Sequence, residues 1–89
     1  MKIVLTSDHA GYALREALAG HARSRGHDAW CVGAQDASAF DYPDAADLAV
    51  KELLSGRADC AVMICGTGIG VSIRANRYAA VRAANCCSV

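Results

Sequence analysis

At 89 residues the chain has room for one small domain, residues 1–89, and a domain of that size buries only about 60–65% of the surface its unfolded form exposes. Nine Lys and Arg balance nine Asp and Glu for a formal net charge of zero, so there is no basic field for a nucleic-acid backbone and no acidic run for a cationic partner. Five cysteines are an odd number with no C-x-x-C spacing, and the three histidines do not stand at zinc-ligand spacing from them, which argues for reduced thiols and no metal site.

The apolar run from Met1 to Thr6 turns polar at Ser7-Asp8-His9. It is far too short for a signal peptide or a membrane span, so a cytoplasmic chain with no membrane partner is expected. Lys2 to Thr6 reads as a buried strand, and Gly11 as the turn after it. From Tyr12 to Arg25 the apolar positions Leu14, Ala17, Leu18 and Ala22 recur at helical spacing, with Gly26 where a C-cap belongs. Asp28 to Val32 predicts a second strand, followed by a polar loop. Pro43 opens a second helix, carried by Ala45, Leu48, Ala49 and Leu53 and closed at Ser55-Gly56. Cys60 to Ile64 is apolar without alternation, as in a central parallel strand covered on both faces. Val71 to Tyr78 then predicts a third helix, with Ile69 and Ile73 on one face, and Ala79 to Ala84 a fourth strand. The alternation implies an α/β fold: a Rossmann-like, doubly wound parallel sheet with helices on both faces. Ligands bind such sheets at the carboxyl ends of strands beside the switch point, which directs attention to Ser7-Asp8-His9 and Cys65 to Gly70.

In Cys65-Gly66-Thr67-Gly68-Ile69-Gly70 a thiol stands at a strand end, and three glycines at alternate positions lead into a helix. Such glycines let the backbone approach a ligand and aim N–H groups at it, an anion cradle in which the thiol is available as base or nucleophile. The alternative is a plain strand-to-helix turn over a buried thiol. The spacing is neither a P-loop nor the G-x-G-x-x-G fingerprint. Asp8 and His9 offer a carboxylate and an imidazole at the same sheet edge for sugar hydroxyls and proton transfer; the alternative is a capping Asp with a solvated His. Tyr42 is a ligand cover or a staple onto its helix; Arg74, Arg77 and Arg82 are candidate phosphate ligands, although solvated helix faces account for Arg74 and Arg77 more cheaply. Cys86-Cys87 has no assigned role.

Ser7-Asp8-His9-Ala10-Gly11, Asp41-Tyr42-Pro43, Cys65 through Ile73, Ala75-Asn76 and Val81-Arg82-Ala83 together closely resemble the ribose-5-phosphate isomerase B family, which includes the galactose-6-phosphate isomerase subunits. The resemblance covers essentially the whole chain. It implies interconversion of ribose 5-phosphate and ribulose 5-phosphate through a cis-enediolate, with Cys65 as the base and Thr67 assisting ring opening. It also implies that the backbone of Gly66, Thr67, Gly68, Ile69 and Gly70 holds the oxyanion, and that Asp8, His9 and Tyr42 contact the substrate. Donors preorganised on an enediolate contribute about 3 kcal/mol each, and no metal or organic cofactor is required. The family also implies a homodimer or higher oligomer with its site between subunits. Family chains continue past the position of Val89 with a His-Asn pair for ring opening and phosphate-binding arginines, so a C-terminally truncated family domain is expected, lacking its last strand and helices. A strand ending such a chain leaves one face uncovered, which predicts self-association. Two further readings stand beside the isomerase. One is a non-catalytic phosphosugar-binding or subunit-interaction fragment; the other, a thiol redox protein, rests on cysteine number alone.

Overall fold

The computed structural model describes residues 1–36 and 38–86. Cys87 lies outside the described residues. Strands β1 (Lys2–Ser7), β2 (Asp28–Gly33) and β3 (Cys60–Ile64) alternate with helices α1 (Tyr12–Ser24), α2 (Tyr42–Leu54) and α3 (Ile69–Ala75). All pairings are parallel and the order is β2-β1-β3. The chain thus steps from β1 to one neighbour and crosses back over β1 to the other, so the switch point lies between β1 and β3, and the fold is a Rossmann-like α/β sheet.

Alternation along β1 sends successive side chains to opposite faces. Val4 joins Ala49 of α2 and Ala58 on one face, and Leu5 joins Ala19 of α1 and Ala29 on the other. Alanines dominate the helix side of both clusters, which lets the helices approach the sheet closely. The covering faces differ from those expected. Leu14 is 55% exposed while Arg15 is buried, and α2 buries Ala45, Ala46, Ala49 and Val50 rather than Leu48. In α3 the core contacts come from Val71 and Ala75, leaving Ile69 and Ile73 53% and 58% exposed.

Arg15 is the least expected core residue. Its Nη1 donates to the carbonyl of Val32 at 2.9 Å and also to that of Ala34, its Nη2 donates to Glu16 at 2.7 Å, and its guanidinium lies over the Tyr12 ring. It therefore fastens α1 to the carboxyl end of β2.

Ala79–Ala84, expected as a fourth strand, is not one. Val81 N–H turns back to the carbonyl of Tyr78 at 3.0 Å, and both backbone groups of Ala83 are taken by the Asn76 side chain. Groups so engaged cannot build a ladder on β3, which remains a sheet edge among the described residues. The third helix also stops at Ala75 rather than Tyr78, tightening into bonds from Arg77 N to Arg74 O and Tyr78 N to Ala75 O, both 3.2 Å. No helix among the described residues is long and apolar enough to cross a membrane.

Candidate active site

The carboxyl ends of β1 and β3 are joined directly, because Asp8 N–H donates to the Ile64 carbonyl at 3.2 Å. Close approach there depends on Gly11: a Cβ at that position would lie 2.5 Å from Ile64 Cγ2 and 3.0 Å from its carbonyl oxygen. Asp8 is buried and its Oδ1 accepts from Gly11 N–H at 3.1 Å, so the carboxylate fastens the turn into α1. His9 is exposed, its Nδ1 3.3 Å from both the nitrogen and the carbonyl oxygen of Phe40, and so accepts or donates according to tautomer. It thereby ties the turn after β1 to the loop before α2.

After β3 the chain enters the glycine loop. Cys65 Sγ accepts from Gly68 N–H at 3.2 Å, and Thr67 Oγ1 accepts from Ile69 N–H at 3.3 Å. Those two amides face the loop's own side chains, whereas the N–H groups of Gly66 and Thr67 have no partner among the described residues. Gly68 has φ +80°, a conformation that side chains rarely adopt, and the Asn85 side chain occupies the space a Cβ would need.

Cys65, Gly66, Thr67 and Gly68 line one wall of an open groove of about 950 Å³, and the segment Ala80 to Cys86 lines another. Tyr42 and Gly70 lie elsewhere. They share a smaller depression of about 390 Å³ with Ile73, Arg74 and Arg77, and a Cβ on Gly70 would come within 2.7–3.0 Å of the Tyr42 ring. Asp8 and His9 line neither. The structure thus gathers the thiol, Thr67 and two glycines, sets Asp8 and His9 on the adjoining strand end, and places Tyr42 against the back of the loop. No three His, Cys, Asp or Glu among the described residues are grouped to hold a metal ion.

Arg74 is no solvated bystander. Its Nε and Nη2 grip both carboxylate oxygens of Asp47 at 2.8 and 3.0 Å, and Tyr78 donates to Asp47 Oδ1 at 2.9 Å. The Arg74 hydrogen bond holds the Asp47 carboxyl below the usual carboxylate range, and the bond to Asp47 raises the Tyr78 phenol. This network locks α3, and with it the loop, onto α2. Burial pushes the Cys31 thiol up, with Glu16 adding to the effect. Sequence reasoning missed Arg15, Asp47 and Asn85, and it placed Asn76 inside a helix running to Tyr78, where the structure makes it the C-cap.

A parallel sheet that sets a thiol and a glycine loop at its switch point defines an α/β chain of the doubly wound class, in which ligands sit at that place. Residues 3–89 match the ribose/galactose isomerase family, and the chain belongs to it. It is 35% identical over 85 residues to ribose-5-phosphate isomerase B of Escherichia coli, covering 96% of this chain and 57% of that protein. Solved structures of the B-type isomerases of Clostridium thermocellum (38% identical, TM-score 0.88) and Thermotoga maritima (40%, 0.87) superpose on 92% and 91% of this chain. The matches cover 55% and 56% of those chains, so the present chain spans somewhat more than half the length of its relatives.

Proposed function

We propose that this chain carries the proton-transfer part of an aldose-ketose isomerase site for a phosphorylated sugar, interconverting ribose 5-phosphate and ribulose 5-phosphate. Cys65, as thiolate, takes the proton from the carbon beside the carbonyl; the electron pair of that C–H bond forms the carbon–carbon double bond of a cis-enediolate, and the carbonyl oxygen gains the negative charge. The N–H groups of Gly66 and Thr67, unpartnered among the described residues, are the donors for that oxyanion, and each such donor lowers the barrier by about 3 kcal/mol. The hydroxyl proton on the deprotonated carbon then passes to that oxygen, the C=C electron pair takes the proton back at the former carbonyl carbon, and the new carbonyl forms at its neighbour, all without a cofactor. Thr67 assists ring opening, and Asp8, His9 and Tyr42 shape the surroundings of the sugar.

The observation that carries this reading is Cys65 at the end of β3, in the glycine loop of a chain that belongs to the isomerase family. Conversion of ribose 5-phosphate by the purified chain, lost in Cys65→Ala, is the expected outcome; equal turnover by that variant removes Cys65 as the base.

A second reading, a non-catalytic phosphosugar-binding or subunit-interaction fragment, is favoured by the chain's span of somewhat more than half of its relatives. It predicts saturable binding without turnover. Both readings include self-association into a homodimer or higher oligomer, since Leu14, Leu54 and Val62 are exposed along one groove beside β3, a sheet edge among the described residues.

A further inference from the structure

We infer that Asn76 is a positioning residue for the thiol site, holding the wall that stands over the glycine loop. Among the described residues, the stretch from Arg82 to Cys86 is tied to the rest of the fold by two hydrogen bonds, and both come from one side chain. Asn76 Nδ2 donates to the Ala83 carbonyl at 2.9 Å, and Ala83 N–H donates to Asn76 Oδ1 at 2.8 Å. Asn76 is itself fixed as the C-cap of α3, its N–H donating to the Ser72 carbonyl at 3.0 Å. Two residues beyond Ala83, the Asn85 side chain fills the space above Gly68, whose N–H is the donor to Cys65 Sγ. Contacts thus run from Asn76 through Ala83 and Asn85 to Gly68 and the thiol, and Asn76 sets the distance between the two walls of the groove.

An amide is suited to this task because it offers one donor and one acceptor, matching a single residue's C=O and N–H. An aspartate keeps only the acceptor, and an alanine keeps neither. The inference rests on the isomerase reading for its kinetic arm alone.

The decisive experiment is alkylation of the folded chain by iodoacetamide, with labelling followed peptide by peptide and Cys31 as internal reference. Asn76→Ala is expected to speed Cys65 labelling several-fold with Cys31 unchanged. Asn85→Ala is expected to do the same, and Asn76→Asp to fall between wild type and Asn76→Ala. In the isomerase assay Asn76→Ala is expected to raise KM for ribose 5-phosphate more than it lowers kcat. An unchanged ratio of Cys65 to Cys31 labelling overturns the inference; a parallel rise at both cysteines also does, because it reports general loosening. Should Asn76→Ala fail to fold, Asn85→Ala and Asn76→Asp decide by the same ratio. Labelling needs no turnover, so its failure counts against Asn76 without touching Cys65 as base, whereas absent turnover with the labelling response intact does the reverse.

Discussion

Between β1 and α2 the side chains of Val4, Ala45, Ala49 and Val50 are wholly buried, whereas no residue of β3 is, and Val62 in its middle is 37% exposed. The first region is a packed interior held by short side chains; the second is an open edge flanked by the glycine loop and by a segment hung on one asparagine. Both grow from the same parallel sheet. Burial supplies stability in the first, while the second leaves the Gly66 and Thr67 N–H groups unpartnered among the described residues beside a half-buried thiol.

The contrast is sharpened most by truncating the two strands. Leu5→Ala, in the buried cluster with Ala19 and Ala29, is expected to lower the unfolding free energy by about 3 kcal/mol in chemical denaturation. Arg15→Met follows at about 2 kcal/mol, since it strips the donors from the part-buried Val32 carbonyl and the buried Ala34 carbonyl. Val62→Lys on the open edge is expected to change stability by less than about 0.5 kcal/mol and to shift sedimentation toward the monomer. A loss at Val62 as large as that at Leu5 would erase the distinction between the two regions.

The smallest effect is set by pH. Asp47 has its folded pKa depressed by Arg74, so its contribution is present above the unfolded carboxylate value of about 3.9 and is lost as pH falls through the lower folded value. Asp47→Asn is therefore expected to lower the thermal midpoint by about 1–2 °C at neutral pH and to flatten its decline below about pH 4. An acid limb identical to wild type would mean that the clamp between α2 and α3 adds nothing in solution.

The β/α alternation was legible because Lys2–Ser7, Asp28–Gly33 and Cys60–Ile64 are short apolar runs bounded by polar or glycine residues. The loop after β3 was legible because thiol, glycines and helix start are contiguous in sequence. What escaped depended on distant partners. Arg15 looks like a surface residue until the carbonyls of Val32 and Ala34 arrive from the far end of β2, and Asp47 meets Arg74 only when α2 and α3 pack. The segment Ala79–Ala84 has the apolar character of a strand, but strand formation needs a free ladder partner at both ends of each bond, and Asn76 had already taken Ala83. Leu14 and Leu48 follow helical spacing, yet the faces that pack are those with alanines, because small side chains bring the helices closest to the sheet.

The central claim is that Cys65 moves a proton on a sugar phosphate, and its most direct test is incorporation of solvent deuterium at the carbon beside the carbonyl of ribose 5-phosphate. Incorporation by the wild-type chain and by Cys60→Ala, absent in Cys65→Ala, is the predicted result. Incorporation that persists in Cys65→Ala contradicts it.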